Sequence, residues 1–324
     1  MSRSVVEDAP FAQQDVPGKG KGLVACRDIA AGTLLIKEAP LFTTESLCNA
    51  STIEKDLAQI VKSLSKEGQR AFLSLHNNFK GEPNPFSNIV RSNGYPLGPS
   101  SDIGGIFPLV SRINHSCLPN AQHAWSEKLK SMLVHAVRDI KNGEELTLSY
   151  LNAGPSTTRQ YILKENFRFQ CTCELCSLPS EELKASDERL LQAQKLDENI
   201  GDSKTVRNSP ERALADCRAL RDIYEVEQVA DLRLPRLYYD AFQICAMHGD
   251  RARASAFARR ARQTRMICEG KDSEEVANLT LLEKEPDKYE NFGVTTKWKT
   301  KIGDMPEEEG QEQEFERWLW KLNV

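Results

Sequence analysis

Cys171, Cys173 and Cys176 fall inside the run Cys171-Thr172-Cys173-Glu174-Leu175-Cys176, and nothing else in the chain limits its fold so strongly. A structural zinc takes four ligands in a tetrahedron. Three thiols are therefore an incomplete site, and the fourth has to arrive through tertiary structure. Cys117 offers it, within Arg112-Ile113-Asn114-His115-Ser116-Cys117-Leu118-Pro119-Asn120. With all four positions filled by thiolate, no place remains for water, so the expected metal is structural. The spacing also lacks the strand-helix setting of a thiol redox motif.

The chain has 324 residues, 40% hydrophobic and 28% charged, which is enough for one large or two ordinary globular domains. A net charge of −4 gives no overall field for holding nucleic acid, so no direct nucleic-acid binding is expected. No apolar run approaches the length of a bilayer span and the N-terminus has no signal-peptide core, so no membrane association is expected. Nine cysteines, an odd number, suit a reducing compartment better than a disulfide framework. The expected location is cytoplasmic, nuclear or both.

Along the chain, residues 1–12 are polar and expected to be loose. Leu23-Val24-Ala25-Cys26 and Thr33-Leu34-Leu35-Ile36, separated by Ala31-Gly32, read as a hairpin. Ile53, Leu57, Ile60, Val61 and Leu64 share one face of a helix, with a second helix expected around Ala71–Leu75. Strands return at residues 122–125, 132–137 and 146–150. Beyond Cys176 come helical stripes, Ala213/Cys217/Leu220/Tyr224, Tyr238/Ala241/Phe242/Cys245 and Ala254/Phe257/Ala258/Ala261. Gly249 suits a helix C-terminus and Asp250 the next N-cap. A bundle covering the core and a peptide-binding groove both fit this region. Arg259-Arg260-Ala261-Arg262 reads as a solvated helix face, and the terminal tryptophans at 318 and 320 are expected to dock on the body.

Two further motifs complete a series. Pro17-Gly18-Lys19-Gly20-Lys21-Gly22-Leu23 is a glycine-rich turn; by itself it is either a bare hairpin turn or a place where backbone approaches a ligand. Lys141-Asn142-Gly143-Glu144-Glu145-Leu146-Thr147-Leu148-Ser149-Tyr150 lies between Cys117 and the cysteine triplet. A glycine turn, N-H-S-C-x-P-N, G-E-E-L-T-x-x-Y and C-x-C-x-x-C, in that order over residues 13 to 180, resemble the SET-domain protein lysine methyltransferases and, among them, the SET-and-MYND branch. In that branch the insert carries a zinc-binding MYND module. Here Cys48 is the one cysteine between residues 40 and 105, so the module is absent.

The resemblance implies an α+β fold: a SET-type β-fold of short strands with a knot-like crossing, a helical insert, a post-SET zinc site and a C-terminal, tetratricopeptide-like helical region. The implied boundaries are 13–151 for the SET domain with its insert at about 44–92, 152–180 for the post-SET segment, 181–285 for the helical domain and 286–324 for an acidic tail. It also implies S-adenosylmethionine as cofactor, one structural Zn²⁺ on Cys117, Cys171, Cys173 and Cys176, and Tyr150 as the catalytic residue. Lys19, Gly20, Lys21, Gly22, Asn93, Asn114, His115, Tyr150 and Phe169 are implied cofactor contacts, with Lys19 and Lys21 near its carboxylate and His115 acting mainly through its backbone. Phe167 is the implied channel wall, at a position where the branch often has tyrosine, so one hydroxyl is missing. The implied partner is a protein carrying a target lysine, histone or other, and the chain is expected to be a monomer. A non-catalytic, zinc-stabilised scaffold that holds a partner through its helical region is the other reading.

Overall fold

The computed structural model describes residues 9–47, 49–151 and 153–322; Cys48 lies outside them. The chain forms two compact units, one from residues up to Ser177 and the other from Leu178 onward, with Ala153–Ser156 belonging to the second. None of the helices among the described residues is long and apolar enough to cross a membrane.

The first unit begins with β1 (Phe11–Val16) and β2 (Gly20–Ala25), antiparallel, with Val16 opposite Gly20. Gly18 at φ +74° and Gly20 at φ +77° take left-handed conformations that side chains resist, so the glycine run is first a tight reversal. This corrects two expectations. Phe11 and Ala12 are strand residues, not part of a loose end. Leu23–Cys26 and Thr33–Ile36 do not form a hairpin, because β2 turns back on β1 while β3 (Leu34–Glu38) pairs with β9 (Ser131–Ala136). The Pro17-Gly18 reversal captures β2, and buried Leu23 and Ala25 bond onward to Leu146 and Glu144.

β4 (Phe42–Thr43), β5 (Gly94–Pro96) and β6 (Gly104–Ile106) make a second small sheet in the order β4-β6-β5. Between β4 and β5 stand α1 (Ile53–Ser63), α2 (Lys66–Leu73) and α3 (Pro85–Asn93), the helical insert. Leu57, Val61, Phe72 and Ile89 turn inward at helical spacing. Ser65 caps α2 by accepting the Gly68 N–H at 3.1 Å, and Glu54 of α1 accepts the Phe86 and Ser87 N–H groups at the start of α3, both at 2.8 Å.

β7 (Asn114–His115) and β10 (Thr147–Leu148) form a parallel pair that brings the N-H-S-C and G-E-E-L-T motifs side by side. β8 (Ala121–Ser126) completes the sheet β3-β9-β8. Val110, Ile113, Met132, Val134, Leu146 and Leu148 close the core beneath these strands. α4 (Ser156–Phe167) then leads into the cysteine triplet.

The second unit is helical: α5 (Ser180–Gly201), α6 (Ser203–Asn208), α7 (Pro210–Val226), α8 (Arg233–Met247), α9 (Arg251–Glu269), α10 (Glu274–Lys284) and α11 (Glu312–Leu319). Gly249 at φ +78° ends α8, and fully buried Asp250 caps α9 by accepting the Arg253 N–H at 3.2 Å. Trp320 is buried with its ring 4.9 Å from Phe257. Arg259, Arg260 and Arg262 differ from the solvated face read in sequence. Arg259 and Arg260 both reach Glu308, Arg260 also reaches Glu316, and Arg262 pairs with Glu283. Two carboxylates of the tail, Glu308 and Glu316, lie where water was expected, and the buried Phe315 ring sits 5.8 Å from the Arg259 and Arg260 guanidinium groups.

Candidate active site

The two central motifs are tied together by side chains. Asn120, 1% exposed, accepts the Thr147 N–H at 2.8 Å and donates to the Glu145 carbonyl at 2.8 Å and Glu144 Oε1 at 3.0 Å. Glu145 joins the other two pieces: its carboxylate accepts from Asn114 Nδ2 at 2.8 Å and pairs with Lys19 Nζ at 2.7 Å. The glycine turn and the N-H-S-C segment are thus anchored on one acidic residue that the sequence reading passed over. Its motif neighbours are common in strands, so only the tertiary pairing singles it out.

A cavity of about 830 Å³ opens beside these anchors. Lys19, Gly20, Lys21, Asn93, Asn114, His115, Tyr150, Phe167 and Phe169 all line it. Gly22 does not. A Cβ there would come within 2.6 Å of Val16 Cγ2 and 2.8 Å of both Asn114 Nδ2 and Glu145 Oε1, so this glycine serves close packing of the turn against the site rather than ligand approach. Lys19 reaches Glu145, and Lys21 reaches Asp15 at 3.0 Å. Asn93, buried at the end of α3, donates to the His76 and Ile89 carbonyls at 2.6 and 2.8 Å. Ser74–Asn78 and Lys80, which carried no motif, line the cavity as well, together with Arg112. Arg112 is held by Ser74, donating to its carbonyl at 3.0 Å and its hydroxyl at 2.6 Å.

Four rings form the aromatic side. Tyr150 lies 5.1 Å from Phe167 and 5.3 Å from His115, and Phe169 lies 6.1 Å from His115. Between the phenylalanines Arg168 has φ +60°, a conformation costing a side chain about 1–2 kcal/mol, and its guanidinium sits 5.3 Å from the Phe79 ring. The Tyr150 hydroxyl donates to the Ile113 carbonyl at 2.6 Å. Burial, with added repulsion from Tyr95 and Glu145, lifts its ionisation well above the ordinary phenol range, so it stays neutral. Tyr95, on β5, is a second phenol near Tyr150 that sequence reading did not single out; its ring lies 4.9 Å from His123.

Next to the cavity, Cys117, Cys171, Cys173 and Cys176 place their sulfurs within 4.8 Å of one another. Cys117 Sγ is 4.0 Å from Cys171 Sγ and 3.6 Å from Cys176 Sγ. A tetrahedron with Zn–S near 2.3 Å puts sulfurs about 3.8 Å apart, so the set fits zinc. Without a cation four such thiols cannot all ionise: sulfur hydrogen bonds from Cys171, Cys173 and Cys176, then burial, push Cys117 far up, while bonds from Cys117, Cys171 and Cys176 pull Cys173 down. Gln160 of α4 fixes the loop, accepting the Cys171 N–H at 2.9 Å and donating to the Cys171 carbonyl at 2.8 Å. Among the described residues this is the one cluster of such side chains close enough to share an ion. A larger cleft, about 980 Å³, lies in the helical unit and contains none of the motif residues.

His115 was expected to contribute through its backbone. Its ring also bonds, accepting the Tyr150 N–H on Nδ1 at 3.1 Å and placing Nε2 3.3 Å from Cys117 Sγ. Burial lowers its protonation to about 4, so the ring is neutral.

These features define a class. Residues 20–151 match the SET domain family. The chain is 37% identical over 276 residues to the histone-lysine N-methyltransferase set5 of Schizosaccharomyces pombe, covering 84% of this chain and 82% of that protein. It is 39% identical over 88 residues to the human protein-lysine N-trimethyltransferase SMYD5 and 34% over 104 residues to the human histone-lysine N-methyltransferase SMYD1, each match covering 21% of the relative. The chain belongs to the SET-domain lysine methyltransferases, in the part of the family related to the SET-and-MYND proteins. It is therefore an enzyme, and the scaffold reading is set aside.

Proposed function

We propose that this chain transfers a methyl group from S-adenosylmethionine to a lysine of a protein substrate, with Tyr150 as the catalytic residue. The observation that carries the reading is the convergence of Tyr150, Asn114, His115, Phe167 and Phe169 on one cavity beside the four cysteines. The cofactor supplies an electrophilic sulfonium methyl. Asn114, the backbone of Gly20 and His115, and the Phe169 face would hold it, with Asn93 at the cavity wall and Lys19 and Lys21 near its carboxylate.

The residues' work is then alignment and desolvation. Because the Tyr150 proton is directed to Ile113, the phenol oxygen keeps a lone pair with which to accept an N–H of the target amine. A lysine amine carries a proton at neutral pH, with an ordinary pKa of about 10.4. Enclosure in the cavity that Tyr150 and Phe167 both line would disfavour the ammonium form, whose proton would leave to solvent and free the lone pair needed for attack. Phe167 closes the channel without adding a hydrogen bond.

Zn²⁺ on Cys117, Cys171, Cys173 and Cys176 is structural in this reading. Histone lysine is the first substrate class to try, since the fission-yeast relative is named for it. A histone substrate would put the protein in the nucleus; a non-histone one is compatible with the cytoplasm. The chain would act as a monomer, without membrane or direct nucleic-acid contact. The test is transfer of labelled methyl from S-adenosylmethionine to core histones and to a proteome extract. Zinc-loaded protein that neither binds the cofactor by calorimetry nor labels any substrate would overturn the assignment.

A further inference from the structure

We propose that His115 is a positioning residue that links the metal-bound Cys117 to the backbone of Tyr150, working as the Nε2–H tautomer. The inference rests on the reading of Tyr150 as catalytic and of the four cysteines as a zinc site. It adds a residue whose ring neither of those assignments uses.

The ladder between β7 and β10 is only two residues long, pairing Asn114 with Thr147 and His115 with Leu148. Ser116 N–H adds one more bond, to the Leu148 carbonyl at 3.0 Å, and there the backbone pairing stops. Tyr150 lies just beyond. Its N–H would be left half-buried without a strand partner, which carries a desolvation cost. His115 Nδ1 takes that N–H at 3.1 Å, so the imidazole continues the ladder where the main chain runs out.

An imidazole nitrogen that accepts carries no proton, so a neutral ring must hold its proton on the other nitrogen. That nitrogen, Nε2, faces Cys117 Sγ at 3.3 Å, a donor's distance from a sulfur acceptor. A thiolate on a metal is a good acceptor and a poor donor, so loading the metal selects the tautomer that Tyr150 requires. His115 is 4% exposed, which keeps water from substituting for either contact. The opposite tautomer would put the proton on Nδ1, pointing at the Tyr150 N–H. It would break the Tyr150 contact. A partner next to a metal ligand that orients the neighbouring structure typically changes metal affinity or activity by about 10–100-fold when removed.

The test uses the full, zinc-loaded chain labelled with ¹⁵N-histidine. We expect the His115 signals of an unprotonated Nδ1 and a protonated Nε2; a proton on Nδ1 overturns the proposal. In parallel, His115→Phe removes both contacts, while His115→Asn offers an oxygen near the Nδ1 position and cannot reach Cys117. His115→Phe should lower kcat about ten-fold with KM for the protein substrate nearly unchanged, His115→Asn should restore kcat to within about three-fold, and both should bind zinc about ten-fold more weakly in competition with a chromogenic chelator. Equal kcat losses in the two variants, or a His115→Phe protein unchanged in kcat and zinc affinity, would overturn it. If His115→Phe does not fold, the wild-type tautomer still decides. An active Tyr150→Phe protein with the expected tautomer would instead sink the catalytic reading and leave the bridge standing.

Discussion

At the scale of single residues, the Tyr150 hydroxyl donates to the Ile113 carbonyl at 2.6 Å, and the residue lines the cavity. Tyr150→Phe should cost little stability and lower methyl transfer on the order of 100-fold through lost alignment; thermal unfolding and a single-turnover assay measure the two effects separately. His123, half-buried against Tyr95, has its protonation lowered to about 4 by burial from an ordinary 6.5. Between these values the unfolded chain takes up a proton that the folded one refuses. The His123 contribution to stability therefore rises with pH from about 4 to 6.5 and is flat above, by at most a few kcal/mol because the ring is partly exposed. His123→Gln should remove that share, so that its melting temperatures from pH 4 to 7 rise less steeply than those of the unchanged protein. Neither residue announces itself in sequence: Tyr150 stood out through its place in a motif, and His123 only through what packs on it.

At the scale of elements, the β1–β2 turn is built to sit against Glu145 and Asn114. Gly22→Ala would drive a methyl group into both, so we expect a loss of about 1–3 kcal/mol together with weakened cofactor binding, read by denaturant titration and calorimetry. The cysteine loop carries the Phe169 wall, and a structural zinc supplies on the order of 10–16 kcal/mol to its local folding. Chelation should raise amide exchange through residues 167–176 and abolish cofactor binding, while leaving the helices of the second unit unchanged by circular dichroism. The clustering of the four cysteines was legible because cysteine spacing carries the signature of a shared site. The strand pairing was not: periodicity says that Leu23–Ala25 and Leu34–Ile36 are strands, but it does not say that β2 turns back on the adjacent β1 while β3 pairs with the distant β9.

At the scale of the whole molecule, the tail is part of the helical unit. Residues 293–300 return hydrogen bonds to Ala246–Gly249, and Trp298, Phe315, Leu319 and Trp320 are all buried. Truncation after Glu285 should lower the melting temperature of that unit and expose it to limited proteolysis, and a truncated chain melting like the full one would refute this. The order of four motifs, read with no structure, determined the family and pointed to the four cysteines that cluster and to the aromatic residues that line one cavity, because each motif carries its chemistry in consecutive residues. Tertiary structure alone decided that Glu145 anchors two of those motifs, that the stretch from Ser74 to Lys80 walls the cavity, and that the α9 arginines meet carboxylates instead of water. Such contacts depend on which distant surfaces are brought together, and a linear pattern of polar and apolar residues encodes each surface's character without encoding its partner.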